Sequence, residues 1–184
     1  MVDMCRYSQN DPRWKFLEYA GGETFGRNGC LVCSVAMVGS LAYAEELTPV
    51  DVAYHLRKAG AFRGGVLSYP ERIPVAFERL GWDGPRHYRN VPADMDAIAA
   101  ELSQYRATIA EVKWDSCRPL FWTDANGVTR WNQHFVVLTA LEGSDARVID
   151  PWDGEEKLLS KSRYRLPQWD AARTIYGVRL VRAI

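Results

Sequence analysis

The chain has 184 residues, 47% of them hydrophobic and 25% charged, which suits one domain (1–184) with a full core. Lys plus Arg and Asp plus Glu both total 23, so no net field recruits nucleic acid or an anionic membrane, and neither is expected as a partner. No stretch reaches the roughly 18 apolar residues of a membrane span, and Met1-Val2-Asp3-Met4-Cys5-Arg6 lacks the basic and apolar pattern of a signal peptide, so the expectation is a cytoplasmic chain.

In chain order, the glycine-bracketed loop Gly26-Arg27-Asn28-Gly29 precedes a helix predicted from Cys30 to about Ala44. Its apolar positions 31, 32, 35, 36, 38, 41 and 42 lie nearly all round, which predicts central burial. Thr48-Pro49-Val50-Asp51 is a helix start, with a capping hydroxyl, a first-turn proline and a first-turn acid, and Gly60 stops it. His55 on this helix reads as a surface residue, as does His87 in a predicted Pro85–Asn90 loop. Ile73, Phe77 and Leu80 give a short stripe ending at Gly81. A further helix runs from about Ala93 to Gln104, with Met95, Ile98, Ala99 and Leu102 inward.

From Thr108 the period changes to that of strands. Thr108–Trp114 is one, and two more flank Asn126-Gly127 as a hairpin with a primed turn. His134–Leu141 is an apolar run suited to a central strand, Glu142–Asp145 a turn, Arg147–Asp150 the next strand and Ile175–Val181 the last. Helices first and antiparallel strands afterwards predict an α+β fold, an N-terminal helical lobe packed on a C-terminal sheet.

Cysteines at 5, 30, 33 and 117 are too sparse for a disulfide framework, so reduced thiols are expected. Cys30 and Cys33 have redox-motif spacing but follow a polar loop rather than a buried strand. A zinc site lacks a second ligand pair, and no metal or cofactor is expected. Cys30, as the first residue of a helix, meets free N–H groups and the positive end of the dipole, which favour a thiolate. It is the candidate nucleophile, with Gln9 upstream, and His134 and Asp150 on successive strands downstream.

Gln9-Asn10-Asp11-Pro12-Arg13-Trp14, Gly29-Cys30 with Ser34-Val35-Ala36-Met37-Val38, Thr48-Pro49, His134-Phe135-Val136-Val137 and Asp150-Pro151 follow one another along the chain. In these motifs, from about Tyr7 to Val181, the chain resembles the papain-like cysteine peptidases of the bacteriocin-processing type, related to double-glycine leader peptidases. The resemblance implies a papain-like fold in which Cys30 is the nucleophile, His134 the general base and acid, Asp150 the orienting acid and Gln9 the oxyanion donor. Cys33 departs from the pattern and is expected in the core one turn deeper. The implied partner is a peptide or protein substrate, with leader peptides and peptidoglycan peptides both compatible. A place in a larger assembly, or release with a phage particle, is compatible too.

Asp145 and Asp153 compete for the role of Asp150, and Trp152 either shields the acid or joins the core. The aromatic hairpin Phe121-Trp122 to Trp131 is a candidate groove wall. The chain has no G-x-S-x-G elbow, H-E-x-x-H helix or G-x-x-x-x-G-K-[ST] loop. The rivals left are a non-catalytic module on the same fold and an amidase or acyltransferase using the same thioester. Regular pairing with Leu141 opposite Ala146 would turn Asp150 away from His134, so an odd-length connection or a bulge around Glu142–Asp145 is expected.

Overall fold

A computed structural model describes residues 4–43, 45–64, 66–67, 72, 85–88, 95–104, 106–113, 121–127, 129–131, 133–161 and 175–178. Glu18–Ala20 (β1) and Glu23–Thr24 (β2) form a small hairpin leading into the single turn Phe25–Asn28 (α1). Cys30–Tyr43 (α2) follows at once. Gly29 serves as its first capping residue, because its carbonyl accepts the Cys33 N–H at 2.9 Å. From Leu31 to Leu41 this helix is buried all round, as its near-continuous apolar sequence requires.

Pro49–Lys58 (α3) packs on α2 through Val52, Ala53 and Leu56. Thr48 starts it with a reciprocal box: its hydroxyl oxygen accepts the Asp51 N–H at 3.2 Å, while the Asp51 carboxylate accepts the Thr48 N–H at 3.0 Å. Gly60, at φ 69°, takes the left-handed turn that ends the segment. Phe62–Arg63 (β3) and Val66–Leu67 (β4) pair as a short ribbon.

Pro85–Tyr88 (β5), Met95–Gln104 (α4), Ala107–Lys113 (β6), Phe121–Thr123 (β7), Thr129–Trp131 (β8), Gln133–Glu142 (β9), Asp145–Asp150 (β10), Glu155–Leu158 (β11) and Ile175–Val178 (β12) complete the described elements. Six of the strands form one sheet in the order β11-β10-β9-β6-β12-β5, and every pairing in it is antiparallel. Ile109, Phe135, Val137 and Ile149 join the core around α2 and α3. Ala110, Val112, Val136, Leu138 and Val148 join a second core with Ile98 of α4. Both faces of the central strands are therefore covered, and β9 reads as an unbroken apolar run rather than an alternating one. The α+β expectation holds.

Several local expectations change. Residues 85–88 of the expected Pro85–Asn90 loop form an edge strand carrying His87. The Asn126-Gly127 hairpin exists, but Thr123 pairs with Thr129, so the connection is residues 124–128 rather than a two-residue primed turn. Asp124 shapes it instead, its carboxylate accepting the Asn126 N–H at 2.9 Å. The described part of the fourth helix is Met95–Gln104, with residues 93 and 94 of the expected span outside the described residues. The strands β1, β2 and β11 were not signalled by periodicity because they are so short. The Ile73–Gly81 stripe, Cys117, Trp114, residues 179–181 and the aromatic side chains of the β7–β8 hairpin lie outside the described residues. No helix among the described residues is long and apolar enough to cross a membrane.

The β9–β10 connection shows how the register is set. Leu141 does sit opposite Ala146 across a tight turn, with Gly143 at φ 63°. The ladder then slips: Arg147 pairs with Ala140 but Val148 pairs with Leu138, which leaves Thr139 as a bulge. The expected bulge is thus present but lies within β9 rather than in the turn. Beyond it Ile149 faces Val137, and continuing the register brings Asp150 level with Val136, on the same face as His134.

Thr48→Ala removes one half of the box that starts α3 and should cost about 1 kcal/mol. The check is a lower urea midpoint at unchanged m-value, with the rate of Cys30 alkylation unaltered.

Candidate active site

Cys30 is placed by a turn that accepts only glycine before it. Gly29 N–H closes α1 onto the Phe25 carbonyl at 2.8 Å, and a Cβ at position 29 would stand 2.5 Å from that oxygen and 2.8 Å from Phe25 Cα. Both obstacles are backbone and cannot swing aside. Tyr19 braces the same turn, its hydroxyl donating to the Asn28 carbonyl at 3.1 Å. The result is a half-buried thiol at the first residue of α2.

His134 and Asp150 are almost dry, at 3% and 1% exposure. His134 Nε2 donates to Asp150 Oδ1 at 2.8 Å, and the ring also interacts with the Cys30 side chain. Burial pushes the imidazole toward its neutral form. The Asp150 hydrogen bond and the Cys30 interaction, reinforced by their charges, overcome it and raise the His134 pKa to about 9. Asp150 Oδ1 also accepts the Trp152 N–H at 2.8 Å, and Lys157 Nζ reaches Oδ2 at 3.3 Å. The Gly154 N–H closes the turn onto the Asp150 carbonyl at 2.7 Å, with Gly154 at φ 77°.

Gln9 is buried, at 2% exposure, and sutures the two halves of the site. Its backbone N–H donates to the Pro151 carbonyl at 2.6 Å, beside Asp150. Its side-chain Nε2 donates to the Gly26 carbonyl at 3.0 Å, in the turn that leads to Cys30. Ser8 Oγ and Asn10 Nδ2 both donate to the Trp152 carbonyl, at 2.8 and 2.9 Å, fixing the same segment. The structure therefore brings Cys30, His134, Asp150 and the segment carrying Gln9 to one place.

The competing acids and histidines have other recorded partners. Asp145 accepts hydrogen bonds from Ser160, and Asp153 pairs with Lys157 at 2.8 Å. His55 is on α3 with its ring edge-on to Tyr54, and β5, which carries His87, lies at the sheet edge away from β10. Trp152 is 37% exposed, so it is not core, and it serves Asp150 through its backbone N–H. Cys33 is fully buried as expected, and burial first, then the Cys30 charge, push its thiol well up.

Three contributors were missed from sequence. Tyr19 is kept neutral, chiefly by burial and then by the Cys30 charge, and it stands in a segment with no regular period. The Trp152 N–H is backbone and leaves no sequence signal. Lys157 sits in Glu155-Glu156-Lys157, which reads as solvated surface, and its only hint is the four-residue spacing from Asp153. Among the described residues, no three His, Cys, Asp or Glu side chains converge as metal ligands.

No family model matches the chain, and no curated protein matches it. Among solved structures it is similar to one described as "putative C39-like peptidase from Bacillus anthracis", at 15% identity and TM-score 0.50, covering 98% of this chain and 96% of that one. At that identity the likeness is one of fold, and the fold is papain-like.

Two outcomes follow from this geometry. Gly29→Ala should cost about 1–3 kcal/mol and suppress Cys30 alkylation, read by thermal unfolding and by iodoacetamide rate, because the helix start must move to admit the methyl group. A folded-state His134 pKa of about 9 against an ordinary 6.5 means its stabilisation is full below pH 6.5 and is lost as pH rises through 9. Urea midpoints should fall across that window, and the fall should flatten in Asp150→Asn.

Proposed function

We propose that the protein is a cysteine peptidase that hydrolyses a peptide bond through a thioester on Cys30. The observation that carries this reading is the buried His134 ring, hydrogen-bonded to Asp150 and acted on by the Cys30 side chain at the start of α2. A neutral structural histidine would need neither an acid nor a thiol, whereas a nucleophile needs both a proton acceptor and something to hold that acceptor's ring.

In this reading Cys30 gives its proton to His134, and the sulfur attacks the carbonyl carbon of the scissile bond. Imidazolium then protonates the departing amine, leaving the acyl group on sulfur. Water, deprotonated by the now neutral His134, attacks the thioester and restores the thiol. Asp150 fixes the ring tautomer and stays ionised throughout. Gln9 uses one side-chain N–H on the Gly26 carbonyl, which prevents the amide from turning over. The other N–H, with the Cys30 backbone N–H, is assigned to the oxyanion. The buried Cys33 takes no part.

The substrate assigned is a peptide or protein chain. The bacteriocin-processing type, to which the order of the motifs points, remains a part of this proposal, as does a wall peptide as an alternative substrate. Amidase and acyl-transfer chemistry would pass through the same thioester and differ only in the product.

The test uses a dye-labelled unfolded protein and a peptide chloromethyl ketone. Cys30→Ala and His134→Ala should abolish turnover, and the reagent should map to Cys30. Gln9→Ala should lower kcat by roughly 10²–10³-fold, about 3 kcal/mol, while Cys30 still alkylates normally. Undiminished turnover in Cys30→Ala would remove the proposal.

A further inference from the structure

Asp150 is shared among more donors than a ring-orienting acid needs. Oδ1 takes both His134 Nε2 and the Trp152 N–H at 2.8 Å each, and Oδ2 takes Lys157 Nζ at 3.3 Å. Lys157 is itself divided, because it reaches Asp153 Oδ2 at the shorter distance of 2.8 Å. Its side chain is only 25% exposed, so the cation faces the carboxylate through little water. The β10–β11 register explains the reach. Lys157 stands opposite Val148 and Glu155 opposite Asp150, so the lysine stem leans along its strand to meet the acid.

A consequence for proton transfer follows if the site works as proposed above. An imidazolium bound to an unshielded buried carboxylate is a poor acid and would be slow to protonate a leaving amine. A cation on the far oxygen of that carboxylate weakens the hold. We propose that Lys157 is a positioning residue for this site: bridging Asp150 and Asp153, it fixes the Asp150 carboxylate and sets how tightly His134 keeps its proton. The inference rests on the peptidase reading and adds a residue to it.

Besides Asp150, Cys30 is the group that acts on the His134 ring, and further titratable groups lie on neighbouring elements. Cys30 and Cys33 lie on α2 and Tyr19 on β1, and Asp11 acts on Cys33 from the N-terminal segment. Glu111 on β6 accepts the Gln133 side-chain amide at 2.7 Å, and Glu155 stands opposite Asp150 on β11. Among the described residues, Lys157 is the cation recorded within ion-pair distance of Asp150.

The full chain has three histidines, so the His134 ring can be followed by NMR across a pH titration and assigned with His134→Gln. The wild-type midpoint should lie near 9. Lys157→Met should raise it by about half a unit or more, Lys157→Arg should leave it near wild type, and Asp153→Asn should lower it by releasing the lysine fully to Asp150. If Lys157→Met does not fold, the Asp153→Asn shift decides alone. A high wild-type midpoint that Cys30→Ser lowers, but that no change at 153 or 157 moves, would overturn the role of Lys157 and leave the peptidase reading standing. A midpoint that Cys30→Ser leaves unmoved would take down the reading and this inference together.

Discussion

The hydrogen bond between His134 and Asp150 is the contact on which the rest of the site depends. Two groups that would each lose several kcal/mol by leaving water are held at 2.8 Å in a nearly dry setting. Such a pair survives burial only if every remaining charge and lone pair finds a partner, and the surroundings supply them. The Trp152 N–H and Lys157 meet Asp150, and the Cys30 thiol meets the ring. Removing any one of these leaves a buried charge under-compensated. The 150–154 turn, the bulge at Thr139 and the clamp of residues 8–10 onto 151–152 therefore act together.

The thiol side of the site depends on a different constraint, the absence of a side chain at Gly29. The turn Phe25–Asn28 and the helix from Cys30 meet with no spacer beyond that glycine, so Cys30 is held by backbone geometry rather than by its own packing. Behind it α2 is buried on all sides between the sheet and α3, and a rod so enclosed cannot shift its first residue without disturbing the core. Gln9 then joins the halves: one hydrogen bond runs to the turn that leads to Cys30 and one to the residue after Asp150.

What could be read from sequence was what is encoded locally. The buried helix from Cys30, the helix start at Thr48 and the long apolar strand from His134 each follow from spacing and residue type. That His134 and Asp150 must share a face, and that regular pairing would prevent it, followed from strand alternation alone; the position of the slip at Thr139 did not, since nothing in Leu138-Thr139-Ala140 marks a bulge. The pairing of β5 with β12 and the role of Lys157 were illegible for a related reason. Each depends on segments far apart in the chain meeting in space, and Glu155-Glu156-Lys157 carries no sign that one of its charges turns inward.

Papain-like architecture supports many chemistries, so the claim of catalysis rests on the site and not on the fold. Its most direct test is to catch the covalent intermediate. The protein is mixed with an activated peptide ester, quenched in acid within the first turnover and weighed intact, and the adduct is then mapped. The account expects a mass increase equal to the acyl group, located on Cys30 and removed by hydroxylamine, with none formed in His134→Ala. No adduct on a folded chain, or an adduct on Cys5, Cys33 or Cys117 instead, would contradict it.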